Sequence, residues 1–453
     1  MGVRSRSVAL MCAVLVVGPV APVATAQSSQ TASVSQMWDG VRPVLDHVAP
    51  HDDQAFYTVP DGVDLAATAP GTILRERRVS YHVATLPTPV EVTQILYVTT
   101  SVHGEIEENV TSVIHPPGPP SGNVVSYQSF YDSLNPLDNP SRMIAGNQTL
   151  GGLVSTFETT VIAPSLLNGH TVVLADIQGK DANFAAGPGY GAAVLDSLRA
   201  ATASPATPIT EYSPIGLFGY SGGAIGSNWA MILLAEYAPE LRSRIVGVAQ
   251  GGLFVNPVNN LDYSGEGPLW SGVVAMALAG LSRAYDIDVD QYLTDHGRRV
   301  LADVRDLSII EAFGRYPHIR WSNIIRPEYP TPQDAPEIME VIRRINMGDR
   351  AAPSVPMFVF QGAGGFLEGT PPGGPGTGHG DGVMVAGDVR TLMRDYCAAG
   401  AQIEYREYPY LSHFLAAVPW AVEGQIWLEG RFQGVPATDN CHTIPPGNAL
   451  IEE

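Results

Sequence analysis

The amino-acid sequence predicts an α/β fold with a mostly parallel sheet, helices on both faces of that sheet and an inserted helical cap. Three observations predict it. Buried strand patterns alternate with helix patterns over most of the chain. A serine in a glycine-rich turn separates one of these strands from the helix that follows it. Residues 255–345 contain helix patterns but no strand pattern, and they interrupt the alternation between two core strands.

The N-terminal segment, residues 1–26, has the layout of a secretory signal peptide. Arg4 and Arg6 precede a short apolar run, and Ala24–Ala26 provide the small residues of a cleavage site. The run is too short to span a membrane comfortably. Cys12 follows a bulky methionine, which argues against a lipid anchor at that cysteine. We therefore expect cleavage after Ala26 and an exported, secreted mature chain, residues 27–453.

The charge balance limits the classes of partner. Lys and Arg number 25 and Asp and Glu number 45, so the formal net charge is −20. Such acidity argues against a nucleic-acid partner, which needs a basic surface, and against electrostatic docking on anionic lipid. No apolar stretch after the predicted signal peptide reaches the length of a membrane span. We expect no nucleic-acid partner and no stable span, so that any contact with a lipid interface would be transient.

The remaining elements follow in chain order after a polar leader, residues 27–70. Alternating polar and apolar residues in QILYVTTSVHG and NVTSVIHPP predict antiparallel strands. Buried strands and helices then alternate. The predicted strands are VVSYQSFY, HTVVLADIQG, IGLFGY, SRIVGVAQGG, VPMFVFQG and QIEYREYP. The predicted helices are AAVLDSLRAA, the segment after Ser221, DVRTLMRDYCAAG and AAVPWAVEGQIWLEGRF.

The predicted cap, residues 255–345, contains the apolar helical stretch LWSGVVAMALAGL (Leu269–Leu281). An insertion at this point of the chain would lie over the C-terminal edge of the sheet. Apolar helices there would suit a site for apolar substrates. An ordinary buried helix would have the same composition, so the pattern alone leaves both interpretations open.

The stretch IGLFGYSGGAIGSNWA places Ser221 between a strand and a helix. Gly219 and Gly223 remove side chains where strand and helix crowd together, which is typical of a nucleophile elbow. The positive end of the helix and the Gly222 amide could stabilise an oxyanion beside the serine. A phosphate-binding loop would need a lysine after the glycines, and none is present.

A serine nucleophile needs a histidine base, and His413 is the best placed. It follows the last predicted strand by a few residues, in YPYLSHFL, and it comes after Ser221 as the order serine, acid, histidine requires. The other downstream histidines lie in less suitable places: His296 and His318 in the predicted cap, His379 in a glycine-rich loop and His442 beside a cysteine in the tail.

Three carboxylates compete as the acid partner after VPMFVFQG: Glu368, Asp381 and Asp388. Asp388 is expected to be the N-cap of the next helix, and Glu368 lies inside a Gly/Pro loop. Asp381 precedes the apolar GVMV and is favoured, although a loop carboxylate in an Asx turn would look the same. A metal site at His379 and Asp381 would lack a third ligand, so neither a metal nor another cofactor is expected.

Two cysteines remain after removal of the predicted signal peptide, Cys397 in a predicted helix and Cys441 in the C-terminal tail. An exported protein with two cysteines forms a disulfide between them in most cases. We therefore expect the Cys397–Cys441 bond, with two free thiols as the alternative.

Five segments together resemble secreted lipases of the Candida antarctica lipase A type. They are GYSGG (Gly219–Gly223), SYQSFYDSLNP, ADIQGKDANFAAGPGYG, GDGVMVAGDVRTL and WLEGRFQGVPA. The resemblance covers nearly all of the mature chain. It implies an α/β-hydrolase fold with a helical cap and hydrolysis of carboxylic esters, including acylglycerols.

The resemblance also implies the roles of single residues. It places the nucleophile on Ser221, the acid on Asp381 and the base on His413. It implies an oxyanion hole formed by the Gly222 amide and by Asp132. Since an ionised carboxylate would repel an oxyanion, Asp132 must offer its backbone N–H or a protonated carboxyl.

The sequence thus predicts an exported serine lipase or esterase that works through an acyl-enzyme and needs no cofactor. Two alternatives stay open. The same triad could transfer an acyl group to an alcohol, which product analysis with added alcohol would reveal. A non-catalytic, surface-associated protein could have kept the fold, in which case Ser221 would not react with a serine-directed fluorophosphonate.

Overall fold

The computed structural model describes residues 53–450, so the predicted signal peptide (residues 1–26) lies outside the described residues. The strands in the described range are β1 (Ile73–Val83), β2 (Leu86–Thr100), β3 (Ile106–Ile114), β4 (Val124–Gln128), β5 (Thr171–Ala175), β6 (Ile215–Tyr220), β7 (Ile245–Gly251), β8 (Met357–Gly362) and β9 (Ile403–Tyr408). They form one sheet in the order β1-β2-β3-β5-β4-β6-β7-β8-β9.

The sheet is antiparallel at one end and parallel over the rest. β1, β2 and β3 pair antiparallel with one another, and β3 pairs antiparallel with β5. The strands from β5 to β9 in sheet order are parallel. The prediction of a mostly parallel sheet that begins with antiparallel strands is therefore confirmed.

Twelve α-helices lie in the described range. They are α1 (Pro140–Ile144), α2 (Leu153–Leu167), α3 (Gly187–Ala203), α4 (Gly222–Tyr237), α5 (Pro257–Gly265), α6 (Gly272–Ala284), α7 (Asp295–Val304), α8 (Ile309–Ala312), α9 (Trp321–Ile324), α10 (Pro336–Ile345), α11 (Ala386–Ala398) and α12 (His413–Phe432). No helix in this range combines the length and the apolar character that a bilayer span requires.

The parallel strands supply side chains to two hydrophobic cores, one on each face of the sheet. In β6, Ile215 and Leu217 belong to the core under α3 and α4, whereas Phe218 and Tyr220 belong to the core under α2 and α12. This alternation follows from the two-residue period of a strand. Because both faces are covered by helices, the central strands β5, β6 and β7 are mostly apolar, as in parallel sheets generally. The edge strand β9 instead carries Glu404, Arg406 and Glu407.

Helices α5 to α10 all lie between β7 and β8 in the chain, within residues 255–345. Their apolar side chains join the core on the α3 and α4 face, with Val274, Val300 and Ile342 among them. This insertion therefore continues the core of the sheet and packs over it.

Helix α2 is absent from the sequence prediction. Its sequence, LVSTFETTVIAPSLL, contains three threonines and an internal proline, Pro164, which give it little intrinsic helix propensity. Ile162 and Leu166 bury against the sheet together with α12, so tertiary packing stabilises this helix.

The predicted disulfide is present, and it joins Cys397 near the end of α11 to Cys441 in the C-terminal tail. The Asn440 side chain holds the same tail against β9 through two hydrogen bonds with the Tyr405 backbone, both 2.8 Å long. The covalent bond and these hydrogen bonds attach the tail to the edge of the sheet.

Candidate active site

Ser221 occupies a sharp turn between β6 and α4. Its backbone has φ 52° and ψ −122°, a conformation that non-glycine residues rarely adopt and that often occurs at functional sites. A Cβ on Gly219 would lie 2.5 Å from the Gly223 carbonyl oxygen, and a Cβ on Gly223 would lie 2.0 Å from the Gln128 carbonyl oxygen. The two glycines therefore allow the strand and the helix to approach this closely.

His413 is the first residue of α12 and lies beside Ser221. Its Nε2 is 2.8 Å from Ser221 Oγ, and its Nδ1 is 2.8 Å from Asp381 Oδ2. Since an ionised carboxylate only accepts hydrogen bonds, Nδ1 carries the proton and the neutral ring accepts the serine hydroxyl proton at Nε2. The structure thus brings the three residues together in the geometry of a nucleophile, base and acid.

Asp381 is fully buried and is held by several donors. Its Oδ1 accepts from the backbone N–H groups of Val383 (3.0 Å) and Met384 (2.8 Å), and its Oδ2 accepts from Gln361 Nε2 (3.2 Å) as well as from His413. Donors on both oxygens fix the position of the carboxylate beside His413. The apolar segment after Asp381 anchors it, as GVMV suggests.

The charge of Asp381 controls the ionisation of His413. Burial disfavours the imidazolium form. The negative charge and the hydrogen bond of Asp381, together with the nearby Glu368 and Asp132, outweigh burial, and the pKa of His413 is raised above its usual value. A raised pKa makes the histidine a stronger base toward Ser221, and it requires a higher pH for the ring to be neutral.

The two competing carboxylates have other partners. Glu368 accepts from the backbone N–H of Phe414 (3.0 Å) and from the Trp270 indole N–H (2.6 Å), so it lies next to the histidine segment without bonding to the imidazole. Asp388 accepts from Asn259 and Asn448, at 2.8 and 2.7 Å. The prediction that Asp388 is a helix N-cap is wrong: α11 begins at Ala386, with Val385 as its N-cap.

Asp132 lies in the loop after β4, with φ 33°. Its carboxyl oxygen Oδ1 accepts from Gln178 Nε2 at 3.2 Å, and a Cβ on Gly222 would lie 1.9 Å from the same oxygen. Burial raises the pKa of Asp132 to about 7, although the nearby His413 and the Gly222 amide oppose the rise. Asp132 and Gly222 are thus in contact beside Ser221, and a protonated carboxyl is accessible near neutral pH.

Glu158 on α2 holds the loop that carries Asp132. Its carboxylate accepts from the Tyr127 hydroxyl (2.8 Å), the Ser129 hydroxyl (2.5 Å) and the Phe130 backbone N–H (2.8 Å). Burial raises the pKa of Glu158 to about 7. The sequence analysis missed Glu158 because it belongs to α2, which was not predicted. It also missed Gln178 as a partner of Asp132, because the two residues are far apart in the chain and no local pattern links them.

A cavity of about 330 Å³ opens above Ser221, His413 and Asp132. Its wall is mostly apolar and includes residues of α5, α6, α8, α9 and α10 and two residues of the loop after Asp381. Apolar lining residues include Phe254, Leu278, Ile310, Ile342, Met384 and Phe414. Such a cavity lies within the size range of ligand sites.

The remaining downstream histidines take no part in this arrangement, since His296, His318, His379 and His442 are all exposed. Within residues 53–450, no group of three or more His, Cys, Asp or Glu side chains is arranged to hold a metal ion.

Comparison with known proteins gives a consistent result. The family model of secretory lipases matches residues 145–440. The chain is 30% identical over 410 residues to a protein of Mycobacterium tuberculosis (strain CDC 1551 / Oshkosh) named a probable inactive lipase, with 88% of this chain and 85% of that protein covered. It is 27% identical over 406 residues to Lipase 6 of Candida albicans (strain SC5314 / ATCC MYA-2876), with 86% and 84% covered.

The solved structures extend the likeness to the fold. The closed state of Candida antarctica lipase A matches with a TM-score of 0.74 and 25% identity, over 88% of this chain and 90% of that chain. The predicted α/β-hydrolase fold is therefore confirmed.

Proposed function

Because the chain belongs to the secretory lipase family, we propose that it is an exported serine lipase or esterase that hydrolyses carboxylic esters, acylglycerols among them. The family supports a carboxylic ester hydrolase in general. Ser221, His413 and Asp381 are proposed as nucleophile, base and acid, and Gly222 and Asp132 as the oxyanion hole.

In the proposed reaction, Ser221 Oγ forms a bond to the ester carbonyl carbon while His413 Nε2 takes the hydroxyl proton. Asp381 stabilises the resulting imidazolium. The Gly222 amide and the protonated Asp132 carboxyl donate to the oxygen that becomes negative. His413 then gives its proton to the leaving alcohol as the carbon–oxygen bond breaks. A water molecule hydrolyses the acyl-enzyme by the same steps, with His413 again as base.

The observation that carries the proposal is the unbroken series of hydrogen bonds from Ser221 to His413 to Asp381, with both side-chain distances at 2.8 Å. This matters because one relative is named a probable inactive lipase, so membership of the family does not by itself establish activity. A buried serine in a strained turn, paired with a histidine that an acid orients, is the arrangement that acyl transfer requires.

The substrate class follows from the cavity. Its wall is almost entirely apolar, and Asp132, Ser221 and His413 are among its few polar residues. An apolar acyl chain would bury against this wall with a gain in free energy, whereas a polar acyl group would lose its hydration. Export is supported by the N-terminal layout and by the Cys397–Cys441 disulfide, which is typical of oxidising compartments.

The test is hydrolysis of soluble p-nitrophenyl esters by the purified protein and by its Ser221→Ala variant. We expect the variant to lose about 10⁴-fold or more in kcat, as removal of a triad nucleophile does elsewhere. The matched control is Ser322→Ala, an exposed serine, which should keep the full rate. Equal rates for Ser221→Ala and the unmodified protein would refute the proposal.

A fluorophosphonate probe gives an independent measurement. It should label the unmodified protein at the peptide that contains Ser221 and leave Ser221→Ala unlabelled. A folded protein that is not labelled would support the non-catalytic alternative.

A further inference from the structure

The turn that carries Asp381 is built from the residues directly after it. Besides the two bonds from Val383 and Met384 to its carboxylate, the Asp381 backbone N–H donates to the Met384 carbonyl oxygen at 3.0 Å. Gly382 has φ 124°, a backbone conformation that favours glycine. The direction of the Asp381 carboxylate therefore depends on how residues 382–384 are oriented.

The side chain of Tyr263 on α5 reaches this turn from the insertion between β7 and β8. It is buried, and its hydroxyl oxygen accepts from the Gly382 N–H at 3.2 Å. A Cβ on Gly365 would overlap the Tyr263 hydroxyl, and a Cβ on Gly380 would lie 2.6 Å from the Tyr263 ring. The backbone of these two glycines forms the 2.8 Å hydrogen bond that closes the loop before Asp381. The phenol therefore fills the space where that loop closes.

Two asparagines of the same helix bind neighbouring atoms of this segment. Asn260 Nδ2 donates to the Val383 carbonyl oxygen at 2.6 Å, and Asn259 Nδ2 donates to Asp388 Oδ1 at 2.8 Å. Helix α5 thus holds the segment with side chains from three positions. Within the described range, the cavity wall includes Asn260 but not Tyr263. Tyr263 therefore contacts the turn without lining the space for a substrate.

Tyr263 acts on the turn without adding a charge. Burial and the nearby charge of Asp381 hold the pKa of Tyr263 above its usual value, so its hydroxyl stays neutral at every pH at which a histidine base works. Glu368 is different, because its negative charge raises the pKa of His413 directly. An effect of Tyr263 on the reaction would therefore come from geometry.

We propose that Tyr263 is a positioning residue for the acid of the triad; this inference rests on the proposed ester hydrolase function. The Tyr263 hydroxyl fixes the Gly382 amide, and residues 382–384 fix the Asp381 carboxylate. Asp381 in turn orients His413 through its 2.8 Å bond to Nδ1. The insertion thus sets the geometry of the triad in addition to lining the cavity. A displacement of about 1 Å in a catalytic group can cost about 10²-fold in rate.

The test compares Tyr263→Phe with the unmodified protein on a soluble p-nitrophenyl ester across pH 5 to 9. The variant loses one oxygen atom, and the buried Gly382 N–H loses its acceptor, so the turn has to rearrange. We expect kcat to fall about 10- to 100-fold while KM changes by less than about twofold. The acid decline of activity should move to lower pH, because a displaced Asp381 raises the pKa of His413 less.

The matched control is Tyr285→Phe. Tyr285 belongs to the same insertion and is also buried, and its hydroxyl has no hydrogen-bond partner among the described residues. This variant likewise loses one buried oxygen atom from a tyrosine. It should keep the kcat, the KM and the pH profile of the unmodified protein.

A second comparison separates positioning from a general loss of structure. In protein that already carries Asp381→Asn, the further change Tyr263→Phe should lower kcat by less than about twofold, because the charged acid that Tyr263 positions is absent. Ser221→Ala serves as the blank for these slow rates. A residue that only supports the fold would instead lower kcat by the same factor in both backgrounds.

Thr370→Val perturbs the same peptide unit from another segment, and it replaces Tyr263→Phe if thermal melts show that variant to be unfolded. Thr370 Oγ1 donates to the Gly382 carbonyl oxygen at 2.9 Å, and valine has a similar shape but no hydroxyl. We expect this variant to show a fall in kcat and a shift of the acid decline in the same direction as Tyr263→Phe.

Three results would overturn the inference. The first is an unchanged kcat and pH profile in Tyr263→Phe or, where that variant is unfolded, in Thr370→Val. The second is an equal loss of kcat with and without Asp381→Asn. The third is a raised KM with kcat unchanged, since Tyr263 would then affect only substrate binding. An active unmodified protein with any of these results refutes the inference alone, whereas an unmodified protein that hydrolyses no ester refutes the proposed function and the inference together.

Discussion

Replacing Asp132 by asparagine should remove the alkaline decline of activity. Burial raises the pKa of Asp132 to about 7, so the carboxyl changes its protonation near neutral pH. If the protonated carboxyl donates to the oxyanion, kcat/KM should fall about tenfold per pH unit above pH 7, and at pH 9 about one molecule in a hundred would carry the proton. An asparagine amide donates a hydrogen bond at every pH.

The variant is close to isosteric, and its side-chain oxygen can still accept the hydrogen bond from Gln178 Nε2 that Asp132 receives at 3.2 Å. The decline on the acid side should remain, because the raised pKa of His413 still requires deprotonation before the ring can act as base. About half of the Asp132 carboxyls carry the proton at pH 7 and about one in a hundred at pH 9. Relative to the unmodified protein, Asp132→Asn should therefore gain about 50-fold in kcat/KM between pH 7 and pH 9.

The assay is kcat/KM for a soluble p-nitrophenyl ester across pH 5 to 9, with Ser221→Ala measured in parallel to subtract spontaneous hydrolysis. Asp132→Ala serves as the control, since it keeps only the backbone N–H and should lose about 10²- to 10³-fold near neutral pH. Identical alkaline profiles for Asp132→Asn and the unmodified protein would refute the reasoning and assign the oxyanion contact to the backbone amide.

Three further predictions concern the surroundings of the site. Glu368→Gln should lower kcat/KM about tenfold and move the acid decline of activity to lower pH, because the negative charge of Glu368 helps to raise the pKa of His413. An unchanged pH profile would contradict this. Cys397→Ala opens a disulfide with a sequence separation of 44 and should cost about 4 kcal/mol in the free energy of unfolding by denaturant, whereas a cost below about 1 kcal/mol would argue that the tail is held by its other contacts. Gly219→Ala places a methyl 2.5 Å from a carbonyl oxygen and should destabilise the protein by about 1–3 kcal/mol, while Gly118→Ala, whose methyl meets open space, should change stability little in the same thermal melts.

The parts of the site that sequence predicts well are those with local rules. A strand, a serine between glycines and a helix define the turn at Ser221, because only small residues fit where β6 and α4 cross. His413 follows from its position just after the last strand. The strand and helix order likewise follows from periodicity, since the central strands are mostly apolar on both faces.

The parts that sequence predicts poorly depend on contacts between distant residues. Asp381 and Glu368 both lie close to His413, and only their hydrogen-bond partners distinguish the candidate acid from its competitor. Asp381 bonds to the imidazole, whereas Glu368 bonds to the Phe414 amide. Asp388 has the residue type of an N-cap, yet its side chain bonds to Asn259 and Asn448 in other segments. Periodicity predicts α12 as a helix, but it does not reveal that Val418, Val422 and Ile426 of that helix stay exposed.

The segment before Asp381 forms two nested loops, each closed by a backbone hydrogen bond. The Gly365 N–H donates to the Gly380 carbonyl oxygen at 2.8 Å, and within that loop the Gly373 N–H donates to the Gly378 carbonyl oxygen at 2.7 Å. Asp381 in turn is joined to His413 through the His413 backbone N–H (2.7 Å) as well as through the ring.

Asp381 and His413 are thus fixed to each other outside the loop that the Gly365–Gly380 hydrogen bond closes. Lengthening a closed loop costs little, about 0.6 kcal/mol for each doubling. The tip between Gly373 and Gly378 can therefore accept insertions or a foreign peptide without moving the acid relative to the base. It is a natural place to attach a fluorophore or an affinity tag, or to vary the rim of the site in a library, while the reaction centre keeps its distances.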